Sequence, residues 1–265
     1  MELTLEIVAA DGSVRAATHC DGEVFLVYRG EYIEGDAVAV AAPPGTFLWL
    51  ALDDAMAPAL VYLKGERYEL AVPFGARHKA YSPRAFVGTT HRLWARLARP
   101  EEVAGRRDLA LNPFDEHGNS ALFPHASANV ETRGEAVFAA RNAIDGECAN
   151  TDHGFWPYTS WGINRDPDAS LTLDFGRKVH VDEIALTLRA DFPHDAWWQR
   201  AGVSFSDGFE LVLPLVKSGR AQHFPLPAPR IIESLRLHSL IKAEDPSPFP
   251  ALTRIEVLGR DLPQS

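Results

Sequence analysis

The chain is poor in sulfur: its 265 residues include two cysteines and two methionines. Cys20 and Cys148 cannot build a disulfide framework and read as unpaired thiols, consistent with a reducing compartment. Long hydrophobic runs are missing too, and nothing approaches the roughly 18 consecutive apolar residues of a membrane helix. The start, Met1 to Glu6, is acidic and alternating. It lacks the basic and apolar regions of a secretory signal, so the expected location is cytoplasmic. Positive charge is in deficit, with 26 Lys and Arg against 36 Asp and Glu and a formal charge of −10. Such a field does not attract phosphate backbones. These absences set aside a membrane protein, a nucleic-acid binder and a disulfide scaffold. No glycine-rich phosphate loop follows a strand, no Gly-x-Ser-x-Gly elbow occurs, and the ten histidines show no His-x-x-x-His spacing.

What is present is ordinary globular composition, 46% hydrophobic and 23% charged, in a length that suggests two domains. The first part consists of short β-type runs separated by turn chemistry. Leu3 to Val8 ends at Asp11-Gly12, Asp21-Gly22 precedes Glu23 to Tyr28, and Glu34-Gly35-Asp36 precedes Ala37 to Val40. Phe47 to Leu52, Ala59 to Leu63, Tyr68 to Val72 and Thr90 to Arg96 follow. Seven short runs with frequent turn signals predict an immunoglobulin-like β-sandwich over residues 1–98. Pro100-Glu101-Glu102 then starts a short helix, since proline suits the first helical position and the acids face the positive end of the dipole. Residues 99–122 read as this helix plus a connector over the surface.

Residues 123–265 read as a second β-sandwich. Alternation puts Leu171, Leu173 and Phe175 on one face of a strand, and Ile184, Leu186 and Leu188 on one face of another. Four of the six tryptophans (Trp156, Trp161, Trp197 and Trp198) sit here in polar segments. The order of short motifs in this half resembles the discoidin family, whose galactose-binding-like domains include many bacterial carbohydrate-binding modules. The matching residues are Ala126-Ser-Ala-Asn129, Asn142-Ala-Ile-Asp145-Gly146, Trp161, Leu171-Thr-Leu-Asp174-Phe-Gly176, Val181-Asp-Glu-Ile184, Phe205-Ser-Asp207-Gly208 and Thr253-Arg-Ile-Glu256-Val-Leu-Gly259. The resemblance implies an all-β chain whose C-terminal discoidin-like jelly-roll binds ligands with the loops at one end; it does not specify a ligand. The whole chain also resembles stand-alone bacterial proteins described only as carbohydrate-binding.

Three loops are the expected rim. Asn150 to Gly162 carries His153, Trp156, Tyr158 and Trp161. An aromatic ring can stack on the C–H face of a pyranose while polar tips bind hydroxyls; the bland alternative is that Trp156 and Trp161 plug the end of the sandwich, and Trp161 reads as core. Arg189 to Trp198 supplies Arg189, Asp191, His194, Trp197 and Trp198: a bidentate donor, an acceptor, a titratable group and stacking planes. Its alternative is a surface ion pair with a buried tryptophan. Ile241 to Pro250 is a proline-rich third loop, with Phe249 read as packing. The resemblance further implies a structural Ca²⁺ held by Asp145 and Glu256 with nearby carbonyls, although the segment Glu147 to Thr151 is longer than the family's spacing.

The expected function is therefore non-catalytic carbohydrate binding, with a protein contact or homo-oligomer through the N-terminal sandwich as a further partner. Two rivals stand beside it. One is an enzyme using His153, Asp191 and His194 on a sugar or metabolite; the other is a protein-interaction module whose aromatics form an interface.

Overall fold

The computed structural model describes residues 1–150, 156–190 and 196–262. It is all-β apart from short helical turns. The first sandwich is built from β1 (Glu2–Val8), β2 (Val14–Asp21), β3 (Glu23–Arg29), β4 (Ala37–Ala41), β5 (Thr46–Ala51), β6 (Ala59–Leu63), β7 (Arg67–Ala71) and β8 (Thr90–Leu97). Helix α1 (Pro100–Ala104) follows, with the Glu102 carboxylate accepting from the Arg99 amide at 2.8 Å. Short strands β9 (Arg107–Asp108), β10 (Leu122–Phe123), β11 (His125–Ala128) and β12 (Trp161–Gly162) lead into the second sandwich. Its main strands are β13 (Leu171–Leu188), β14 (Trp198–Phe205), β15 (Glu210–Pro214), β16 (Gln222–Lys242) and β17 (Ala251–Asp261).

Period-two burial explains the layers. In β1, Leu3, Leu5 and Ile7 are fully buried between the half-buried Thr4 and Glu6, and in β3, Val24, Leu26 and Tyr28 alternate with exposed Phe25 and Val27. A sheet ordered β2-β1-β4-β7 faces one ordered β10-β6-β5-β8-β3 across a shared core. The Asp-Gly and Glu-Gly turns lie where the turn chemistry puts them, with Gly12, Gly22 and Gly35 at positive φ.

The second sandwich is one antiparallel system ordered β12-β17-β13-β16-β14-β15, with β11 on β13 and β9 on β17. Strands β13 and β16 are long and change register at bulges between Asp174 and Val179 and between Val181 and Glu183, so each bends around the core of this jelly-roll. That core holds Leu171, Leu173, Phe175, Ile184, Leu186 and Leu188 together with Trp161 and Trp198.

Residues 109–122 do not run over the surface as expected. Ala110, Asn112, Phe114 and Asp115 are fully buried between the sandwiches. The polar members are buried because local backbone groups satisfy them: the Asn112 amide donates to the Pro124 carbonyl at 2.8 Å, and Asp115 accepts from the Ala126 amide at 2.9 Å. Pairing of β9 with β17, then β10 with β6, then β11 with β13 carries the chain across the junction three times. The Phe123 ring of β10 covers Gly176 so closely that a Cβ there would lie 2.5 Å from it. Arg177 of the second sandwich stacks over Phe47 and Tyr62 of the first at 4.8 and 4.9 Å.

Candidate functional site

The end of the second sandwich is closed from below by two tryptophans. Trp161 and Trp198 are both 0% exposed, with ring centroids 6.4 Å apart, and the Trp161 indole donates to the Val130 carbonyl at 3.0 Å. Trp161 is core, as its sequence context indicates. The expectation that Trp198 offers a stacking face is corrected: β14 begins at Trp198 with its side chain pointing inward, and a ring without exposed surface has no face for a ligand. Trp197, its neighbour, is half-buried against the same core.

Arg189 follows the last residue of β13 and is pinned in place. Its amide donates to the Ala251 carbonyl at 2.9 Å, its guanidinium donates to the Tyr158 carbonyl, and the side chain is only 1% exposed. Arg189 therefore joins the segment at Tyr158 to the start of β17 at Ala251. Tyr158 contributes its carbonyl; its ring is buried in the core of the first sandwich, and burial raises the pKa of its phenol. Tyr158 thus ties the sandwiches together and presents no ring to the rim.

Above Arg189 lies a cleft of about 200 Å³. Ser160, Gly162, Ile163, Asn164 and Arg165 form one wall, Thr132, Arg133 and Phe138 another, and Phe249, Pro250 and Ala251 the third. Arg165 is exposed and its guanidinium sits 4.3 Å over the Phe249 ring, which is itself 39% exposed. Arg133 lies over Phe138 at 5.6 Å and pairs with Glu135 at 2.6 and 2.9 Å. The Ser160 hydroxyl is fully buried, lines the cleft and has no hydrogen-bond partner among the described residues.

The backbone here is strained. Arg133, Asn164 and Arg165 have φ of 53°, 49° and 62°, a region that costs a non-glycine residue about 1–3 kcal/mol and persists only where surroundings enforce it. Part of the enforcement is visible: the Asn164 amide donates to the Thr132 hydroxyl at 2.9 Å, and Gly162 admits that hydroxyl where a Cβ would stand 2.6 Å from it. Sequence reasoning missed Thr132, Arg133, Ser160, Asn164 and Arg165. Alternation carries no information about irregular turns, and no motif marks a strained arginine.

Trp156 is 36% exposed but lies outside this cleft. It lines a hollow of about 560 Å³ at the sandwich junction, facing Asp53, Asp54, Arg84 and His91 of the first sandwich. His153, Asp191 and His194 lie outside the described residues.

The carboxylates expected to hold calcium are already engaged. The Asp145 side chain accepts from the Glu147 amide at 2.8 Å, capping its own turn. Burial pushes this carboxyl up to about 7, against the attraction of Arg141 and Arg254. Glu256 lies 3.3 Å from Arg254, which also pairs with Asp108 at 2.9 Å. Two guanidiniums occupy the neighbourhood that a divalent cation would need free of positive charge, so this donor set does not fit the ion.

No family model matches the chain, and no curated protein matches it. Solved structures do resemble it. A chitosan-binding module from a chitosanase/glucanase of Paenibacillus sp. IK-5 shares 18% identity over 58% of this chain and 99% of its own, with a TM-score of 0.42. The family 32 carbohydrate-binding module of Clostridium perfringens NanJ, solved with galactose, shares 20% identity over 50% of this chain and 91% of its own, with a TM-score of 0.39. The lectin domain of lectinolysin, complexed with Lewis B antigen, shares 16% identity over 59% of this chain and 98% of its own, with a TM-score of 0.42.

Proposed function

We propose that the protein binds carbohydrate, without transforming it, in the cleft between Arg133, Arg165 and Phe249. The observation that carries this reading is the pairing of an exposed ring with fixed polar donors in one small hollow. Phe249 offers a face for sugar C–H groups, Arg165 and the buried Ser160 hydroxyl offer hydrogen bonds, and strained turns hold the donors ready. The described lining of this cleft has three arginines and no Asp, Glu, His, Cys or Lys, a set that suits recognition better than general acid–base chemistry. Affinity should be modest, on the order of 10–1000 μM, since a wet site exchanges hydrogen bonds with water for similar ones with ligand.

The test is calorimetric titration of a glycan panel into the parent protein, Phe249→Ala and Trp156→Ala, with the fold checked by circular dichroism. Phe249→Ala is expected to weaken the best ligand about ten-fold, equivalent to about 1.4 kcal/mol. If Trp156→Ala alone weakens it, the ligand occupies the junction hollow and the cleft assignment fails. If no glycan binds the parent protein, the function itself is wrong.

A further inference from the structure

We infer that the ligand of this cleft is an acidic sugar whose carboxylate is held by Arg165, an inference that rests on the proposed carbohydrate binding. The chain as a whole carries a formal charge of −10, yet the described wall of the cleft contains Arg133, Arg165 and Arg189 and no carboxylate. An arginine without an ion pair among the described residues makes a local positive point on an acidic protein, and the cleft holds one in Arg165.

The three arginines differ in what they have left to offer. Arg189 is buried and spends a donor on the Tyr158 carbonyl. Arg133 is bound by both oxygens of Glu135, so its charge is largely balanced. Arg165 is exposed, makes no ion pair with any described residue, and rests its guanidinium on Phe249. Stacking limits the side chain to one plane while leaving the edge of the fork free, the geometry in which a guanidinium receives a planar carboxylate through two parallel hydrogen bonds. The left-handed backbone at Asn164 and Arg165 shows that the fold accepts strain to place this residue.

The remaining polar inventory points the same way. Sugar hydroxyls donate and accept about equally, and so do the Ser160 hydroxyl and the Asn164 amide; the Arg165 guanidinium only donates and is the surplus of the cleft. A uronate, which adds two acceptor oxygens and no donor to a pyranose ring, complements that surplus.

The experiment titrates the full chain with galacturonate trimer, the matching neutral galactose trimer and galactose 6-sulfate, at about 20 and 300 mM salt. The uronate is expected to bind at least ten-fold tighter than the neutral trimer at low salt. That ratio should shrink at high salt and fall toward one in Arg165→Gln. Equal affinity for uronate and neutral trimer in the parent overturns the inference and leaves carbohydrate binding standing. Tight binding of the sulfate ester without the uronate overturns the carboxylate assignment, and failure of all three ligands to bind overturns the inference while carbohydrate binding itself is decided by the glycan panel. A uronate preference that survives Arg165→Gln unchanged, with thermal stability intact, also removes Arg165 from the role.

Discussion

Trp156, Trp161 and Trp198 occupy similar polar-aromatic segments in the sequence and three different environments in the fold. What separates them is whether the residue starts a strand. Trp161 and Trp198 each start a strand and face inward, where each fills volume that neighbouring leucines cannot. Trp156 precedes the segment whose carbonyl binds Arg189, and its ring points toward the first sandwich. Starting a strand, rather than lying in the bend before one, decides between core and surface, and aromatic enrichment does not reveal it. Arg189 was legible because it directly follows a strongly alternating run; Arg165 was not, because its position depends on left-handed backbone in a turn. Trp198→Ala should therefore destabilise the protein by about 3–5 kcal/mol, the cost of a large cavity in a packed core. Trp156→Ala should cost far less. Urea denaturation of the two variants measures the difference, and equal losses would contradict the inward placement of Trp198.

At the scale of elements, the sandwiches were legible and some of their strands were not. Seven runs of the first sandwich announced themselves through alternation, but β2 did not. Val14 to Asp21 is a mostly exposed edge strand whose residues are chiefly polar or small, so it has little apolar face to read. In the second sandwich, the separate runs at Leu171–Phe175 and Ile184–Leu188 are parts of one strand, β13, interrupted by bulges that break the period. The partner strand β17 supports the second bend with Gly259, where an added Cβ would lie 2.1 Å from the His180 carbonyl oxygen. Neither atom belongs to a side chain that can swing away, so the sheet itself must part. Gly259→Ala is expected to cost at least ~3 kcal/mol, at or above the usual range for overpacking. A thermal midpoint within a degree or two of the parent would show that β13 and β17 have room to adjust.

The whole molecule behaves as more than two sandwiches joined by a linker. Three crossings of the junction, the burial of Val137 and Tyr158 in the core of the first sandwich, and the stacking of Arg177 on Phe47 and Tyr62 make each half incomplete without the other. At the centre is a half-buried imidazole on a buried carboxylate: His125 lies 2.8 Å from Asp115, which is fully buried and also accepts from the Ala126 amide. Burial of the ring opposes its positive charge, but the hydrogen bond and attraction from Asp115, helped by Asp174, outweigh it, so the His125 pKa lies above its ordinary value of 6.5. A group whose pKa rises on folding stabilises fully below its unfolded value, and that contribution is lost as pH climbs through the folded value. The junction should accordingly weaken above pH 6.5, and calorimetry should show one cooperative transition whose midpoint falls as pH increases from 6 to 9. His125→Gln should lower the midpoint most at pH 6, with the gap to the parent narrowing toward pH 9. Two resolved transitions would mean that the sandwiches unfold independently. A gap that does not change with pH would mean that the Asp115 pair carries no charge across the junction, leaving apolar contacts such as Phe123 on Gly176 to hold the halves together.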